Sequence, residues 1–333
     1  LTTTINIYQS FIKPLNRDSE NLKKEFTRSQ RALKNLEPIE LKVNETLTSV
    51  MEVEELEKLP DNLETTWGIH KRYQREEIVY HFKIKVSYEK QYFEDLEKEY
   101  GINSNDFFKS EILPDKLEKR FYDFLMILNI CRVGGFHFGI GFFDLGDGYK
   151  QLKKMNLYTT ELFDYSIEKK WPKFENLGIR KTWNWFITIL NPVDIDELSS
   201  TDLSRAFNAF SYLYEESEEI NKLFWTMVGI EAIYVKGKEG ISQQIKEKGQ
   251  LFLGEIEEFK KRLTKMYDYR SSFIHGSKNF PSFFHIDDAI YSYENFNTEL
   301  FEILFTAESM LIATIQKIAK ENRQRLNFKY VID

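Results

Sequence analysis

Between residues 78 and 86 the chain alternates. Ile78, Tyr80, Phe82, Ile84 and Val86 are separated by Val79, His81, Lys83 and Lys85. A period of two belongs to a strand with one face in a core and the other toward water. Residues 17–37 are charged and helix-favouring, as in Leu22, Lys23, Lys24 and Glu25, and read as a solvated helix. Residues 89–100 read as a charged helix that stops at Gly101, and residues 115–130 as an apolar helix opened by Pro114 and Asp115. A glycine-rich stretch from Gly134 to Gly148 follows, and Phe186 to Leu190 reads as a short strand. This first part is a mixed α and β region whose topology the pattern does not name.

Asn191 and Pro192 break the pattern, and from Ser200 onward every periodic segment is helical. Leu203, Ala206, Phe207, Phe210 and Leu213 form one stripe; Ile220, Leu223, Phe224, Met227 and Val228 form a second. Residues 241–253 make a shorter helix. Ile256, Phe259, Leu263 and Met266 mark a long one ending near Gly276. After Pro281 a last helix carries Ile286, Ile290, Tyr293, Phe296, Leu300, Leu304, Leu311 and Ile315. Helices joined by short connections imply a bundle. The expected fold class is therefore α+β: a mixed α/β domain over residues 1–195 and an all-α bundle over residues 196–333.

Composition narrows the functional classes. The chain of 333 residues is 42% hydrophobic and 30% charged, as a globular protein is. Its net charge of -7 argues against non-specific coating of nucleic acid, which needs a broad cationic face, but leaves room for a local basic groove. A single cysteine, Cys131, excludes an intrachain disulfide and a cysteine-rich zinc site. Ile5, Ile7 and Tyr8 do not make the apolar centre of a secretion signal, and no run reaches the length of a membrane span. A cytoplasmic location away from membranes is expected. No cluster matches a zinc site, a P-loop or a dinucleotide fingerprint, and no cofactor is expected.

Candidate chemistry lies in the long helix. Its apolar stripe steps through 256, 259, 263 and 266, and the next step is Arg270. Burying an unpaired guanidinium is costly. Either Arg270 pairs with a carboxylate, or the stripe opens there onto a cleft or a partner surface. His275 follows, then Gly276, and glycine just past a helix end suits the left-handed C′ position. In the last turn the helix dipole favours a protonated imidazole, and a histidine near neutrality suits acid–base work at a phosphodiester. Residues five apart on a regular helix point roughly 140° away from each other. Arg270 and His275 can cooperate if the helix unwinds at its end, or if a second copy of the chain completes the site.

The segment Tyr267-Asp268-Tyr269-Arg270-Ser271-Ser272-Phe273-Ile274-His275-Gly276 resembles the signature of the Apea-like HEPN family. Upstream, Gly229-Ile230-Glu231-Ala232-Ile233-Tyr234 is similar to that family's second helix, and Gly240 to Leu253 to its intervening helix. The resemblance spans roughly residues 197–320. Two other arginine–histidine pairs, Arg132 with His137 and Arg75 with His81, lack the context: the first runs through Gly134 and Gly135, the second enters a strand.

The resemblance implies an endoribonuclease that works as a homodimer through the bundle. Arg270 would stabilise the charge developing on the phosphate, and His275 from each protomer would serve as base and acid. The 2′-oxygen attacks phosphorus, leaving a 2′,3′-cyclic phosphate and a 5′-hydroxyl without a metal. Ser271 would hold a phosphate, Glu231 would orient Arg270, and Tyr269 would help position the RNA substrate. The family likeness also implies an abortive-infection, antiviral defence role, with a phage-derived trigger sensed by the N-terminal domain. Weighed against this are a non-catalytic module of the same fold that binds RNA or protein, and a structural dimerisation protein in which Arg270 and His275 close a helix end. Lys260, Lys261, Arg262 and Lys265 could attract RNA or form a solvated face. Asp144 and Asp147 with Gly146 and Gly148 read as a turn rather than a cation site. Asn44-Glu45-Thr46 matches a glycosylation sequon that means little without a secretory signal.

Overall fold

A computed structural model describes residues 2–42, 47–70, 75–88, 98, 112–146, 148–157, 159–190, 199–216, 218–254, 257–277 and 294–328. Among them are strands β1 (Thr2–Ile12), β2 (Ile39–Glu40), β3 (Leu47–Leu56), β4 (Glu77–Tyr88), β5 (Phe138–Asp144) and β6 (Tyr149–Gln151). The helices are α1 (Glu20–Lys34), α2 (Asp61–His70), α3 (Leu113–Cys131), α4 (Thr159–Lys169), α5 (Ile179–Leu190), α6 (Asp202–Tyr212), α7 (Glu219–Tyr234), α8 (Ile241–Leu253), α9 (Glu257–Ile274) and α10 (Glu294–Lys320). The chain forms two compact units, one of Leu1–Thr160 with Asn176–Glu197 and one of Glu161–Glu175 with Leu198–Asp333.

The first unit is built on an antiparallel sheet in the order β2-β3-β4-β1-β5-β6. The alternation read from residues 78–86 is β4, with Tyr80, Phe82, Ile84 and Val86 fully buried. Phe82 meets Phe121 and Phe124 of α3 at ring-centroid distances of 4.9 and 6.0 Å, and Phe124 meets Trp183 of α5 at 5.7 Å. Burying such a side chain stabilises the fold by roughly 1.5–3 kcal/mol. α1 is more than a solvated helix, since Leu22, Phe26, Ser29 and Leu33 make a buried stripe behind the Ser19 cap. The opposite face of the sheet carries a smaller cluster of Tyr8, Leu63, Trp67 and Phe142. His81 lies on that face, stacked on Tyr8 at 4.9 Å and bonded to Glu54 and Asn6. Among the glycines of the 134–148 stretch, Gly141 has a packing reason: a Cβ there would collide with the side chain of Gln9 on β1.

The expected strand at Phe186–Leu190 is the end of helix α5 instead. Ile179, Thr182, Trp183 and Phe186 are buried at helical spacing, and this stripe overrides the strand preference of the last few residues. The expected helix over 89–100, apart from Lys98, lies outside the described residues, as do Asn44-Glu45-Thr46, Asp147 and the break at Asn191 and Pro192.

The second unit is helical: α6–α10 with residues 161–175, which include most of α4. α10 is its central element. Met310, Leu311, Ile312 and Ala313 are consecutive and all buried, so this helix is covered on every side. α7 approaches it closely at Gly229, where an added Cβ would stand 3.0 Å from the Leu311 side chain. The 161–175 stretch is held by paired hydrogen bonds of 2.9 Å between the Glu175 backbone and the Gln316 side chain, and by Trp171 Nε1 donating to the Gly254 carbonyl at 3.0 Å. Of the last helix's expected stripe, Leu300, Leu304, Leu311 and Ile315 are buried, while Ile286, Ile290 and Tyr293 lie outside the described residues. Among the described residues no helix is long and apolar enough to cross a membrane.

Candidate functional site

α9 carries the residues singled out by their pattern. Leu263, Met266 and Tyr269 are buried on one side of it. Arg270 sits at the edge of that side with its side chain 20% exposed, beside Glu231 of α7, which is 22% exposed. The Nη2 of Arg270 lies 3.5 Å from Oε1 of Glu231. This is an ion pair without close hydrogen-bond geometry: Nε of Arg270 and Oε1 of Glu231 are enclosed and lack hydrogen-bond partners among the described residues. Burial pushes the Glu231 carboxyl up from its ordinary range, and Arg270 pulls it partly back. Of the two possibilities open for Arg270, pairing with a carboxylate is therefore the one realised. The guanidinium sits beside Glu231, and its Nε is enclosed by the protein, so only its partly exposed remainder is open to an oxyanion.

The helix ends in a Schellman arrangement. Ser277 N donates to the Ser272 carbonyl at 2.9 Å, Gly276 N to Phe273 at 3.2 Å, and Gly276 has φ +68. His275 N still makes the helical bond to the Ser271 carbonyl at 2.9 Å, so the helix does not unwind before the histidine. His275 is exposed at the cap. Arg270 turns toward α7. Within one chain the structure thus brings Arg270 and Glu231 together and leaves His275 apart from them at the open end.

Ser271 is half-buried, and its carbonyl accepts from the backbone of His275. Tyr269 lies in the interior at 5% exposure, with its ring 5.0 Å from that of Phe273. Burial, then the charge of Glu299, pushes its hydroxyl well above the usual range. Its position is one of packing rather than of contact with a substrate. The basic run does not form one face. Arg262 is turned inward, where it donates to Tyr165 at 2.7 Å, and Lys265 pairs with Glu299 at 3.2 Å.

The two other arginine–histidine pairs stand in the first unit. Arg132 follows α3 and lies 3.5 Å from the buried Glu25. Burial, reinforced by Arg75, lowers His137 to about 4, which keeps it neutral at pH 7 and removes it from neutral-pH proton transfer. Burial likewise pushes the Cys131 thiol up to about 12, so it is no nucleophile.

Two features escaped the sequence pattern. Tyr165 gathers Arg262, Thr306 and the Glu302 carbonyl around one hydroxyl, at 2.7, 2.8 and 3.4 Å. Its position within the first 195 residues hid its place in the helical unit. Glu308 is buried on α10, with Oε1 unpartnered among the described residues, and its carboxyl is raised to about 7, chiefly by burial. A lone acid between Phe305 and Met310 was the available signal.

Among the described residues no group of three or more histidine, cysteine, aspartate and glutamate side chains is gathered as a metal site. No family model matches the chain, and no curated protein or solved structure matches it either.

Proposed function

We propose that the helical unit is a metal-independent endoribonuclease of the HEPN kind. The observation that carries this reading is the partly exposed Arg270 guanidinium, set beside Glu231 on the same helix whose capped end exposes His275. The resemblance of residues 267–276 to the Apea-like HEPN signature supports it independently. Because the helix stays regular through the His275 backbone bond, the reading requires a homodimer in which two such helix ends meet. There one His275 removes the proton from a ribose 2′-OH, and that oxygen attacks the adjacent phosphorus. Arg270 takes up the charge on the non-bridging oxygens, and the second His275 protonates the departing 5′-oxygen. The products are a 2′,3′-cyclic phosphate and a 5′-hydroxyl.

In this account the sheet-bearing unit restrains the nuclease until a phage-derived trigger reaches it, and the protein acts in the cytoplasm as an abortive-infection effector. Induced expression with and without Arg270→Ala or His275→Ala tests this. Growth arrest with RNA loss for the unaltered chain, and normal growth for both variants, is the expected result. Equal arrest by all three would remove the assignment. A second reading, a module that grips RNA phosphate without cutting it, is favoured by the separation of Arg270 from His275 within one chain. It requires RNA binding that Arg270→Ala abolishes and His275→Ala does not.

A further inference from the structure

Helix α1 sets its apolar side into the sheet-bearing unit and turns a basic side outward. Leu22, Phe26, Ser29 and Leu33 are buried. Lys24, Arg28 and Arg31 are exposed, at helical steps of four and three residues. At about 100° and 1.5 Å per residue they fall within about 60° of one another, nearly opposite the buried stripe, and span about 10 Å along the axis.

These cations are not spent within the protein. Among the described residues no hydrogen bond or ion pair engages any of their side chains. The carboxylates around them are taken up by other groups. Glu20 pairs with Lys23 at 2.9 Å, and Lys24 is the weakest of the influences on it. Glu25 is buried, 3.5 Å from Arg132. Glu37 pairs with Arg180, and Glu55 of β3 with Lys34 at 3.2 Å. On a chain of net charge -7, α1 therefore presents a local stripe of uncompensated positive charge, which attracts a polyanion.

A groove beside the stripe says which polyanion. It has a volume of about 360 Å³ and is lined by Pro14, Phe26, Thr27, Gln30 and Ile78, with Lys13 and Lys23. Both lysines are already paired, Lys13 with Glu76 at 3.0 Å and Lys23 with Glu20, so the groove suits an uncharged, largely apolar body rather than a second anion. Thr27 is exposed and lies between groove and stripe on the helix surface. Phosphates on a basic track with a splayed base in an adjoining groove are the chemistry of a single-stranded nucleic acid. An acidic peptide would use the stripe and leave the groove empty. A membrane would need an apolar side to insert, and that of α1 is committed to the core.

We propose that α1 holds a single-stranded nucleic acid, its phosphates along Lys24, Arg28 and Arg31 and one base seated in the groove beside Thr27. The proposal does not rest on the nuclease reading, and it gives the sheet-bearing unit a nucleic-acid contact of its own.

The experiment is an anisotropy titration of a fluorescein-labelled 2′-O-methyl oligouridylate with the full chain. This probe lacks the 2′ nucleophile, so strand cleavage by that oxygen plays no part in the result. The logarithm of the affinity should fall with the logarithm of salt concentration at a slope of about -2, from three contacts at about -0.7 each. Lys24→Gln, Arg28→Gln and Arg31→Gln combined in one chain should remove most of that slope and weaken binding at low salt about tenfold, with an unchanged thermal melt. An abasic oligomer of the same length should bind more weakly at the same slope. The proposal is overturned by an absence of binding, or by a triple variant that keeps both affinity and slope. Equal binding of the abasic oligomer, or equal competition by polyglutamate or by phosphatidylglycerol vesicles, would overturn it as well, because each would reduce the stripe to charge alone.

Discussion

Arg270 on α9 is held by Glu231 on α7 across a gap of 3.5 Å, with both side chains about one-fifth exposed. Removing one member of such a pair strands the other in a partly dry site. Glu231→Gln should therefore destabilise the helical unit by about 1–2 kcal/mol, read by urea denaturation. The double variant with Arg270→Gln should cost less than the sum of the two single changes. Additive losses would show that the pair is not coupled.

Glu308 makes stability depend on pH in a defined direction. Burial raises its carboxyl to about 7, against the attraction of Lys222 and with the added repulsion of Glu161 and Glu219. In the unfolded chain the group ionises in the ordinary carboxylate range, while the folded protein keeps it protonated. The unfolded state therefore loses its proton first, and the stability contributed by the neutral form declines as pH rises toward 7. Glu308→Gln should flatten that decline, measured as the urea midpoint at a series of pH values.

His137 gives the opposite sign. Its folded value of about 4 lies below the ordinary value, because burial and Arg75 oppose the charged form. As pH falls below about 6.5 the unfolded chain takes up a proton that the folded one refuses, so stability is lost between there and about 4. His137→Gln should remove that acid-side loss from the sheet-bearing unit. A variant that is as acid-sensitive as the unaltered chain would contradict the assignment.

Gly276 holds the end of α9 with φ +68. Any side chain there meets the left-handed penalty, about 1 kcal/mol or somewhat more. Gly276→Ala should lower stability by that amount and disturb the setting of His275, giving a larger loss of RNA cleavage than of folding.

Particular residues show how far the fold can be read from the chain. β4 was legible because Tyr80, Phe82, Ile84 and Val86 are buried on one face while Lys83 and Lys85 on the other are exposed, which writes a period of two into the strand. The helical stripes after Ser200 were legible for the same reason at a different period, except that Phe224, counted in the second stripe, is 39% exposed on α7. Phe186 to Leu190 misled because its strand-favouring residues are the end of a helix whose register is set earlier, at Ile179 and Trp183. Residues 161–175 could not be assigned to the helical unit from local pattern, since their partners Gly254, Thr306 and Gln316 lie far along the chain. At the candidate site, Arg270 and Glu231 stood out as charges interrupting apolar stripes. Tyr269 was expected beside a substrate because it flanks Arg270, yet one residue along a helix is a turn of roughly 100°, and that turn carries it into the interior.

The most direct test of the central claim is digestion of bulk cellular RNA by the purified full chain in excess chelator, beside His275→Ala, followed by analysis of the fragment ends. The account predicts 2′,3′-cyclic phosphate and 5′-hydroxyl ends with the unaltered protein and intact RNA with the variant. Cleavage that survives His275→Ala, or that yields 3′-hydroxyl ends, would contradict it.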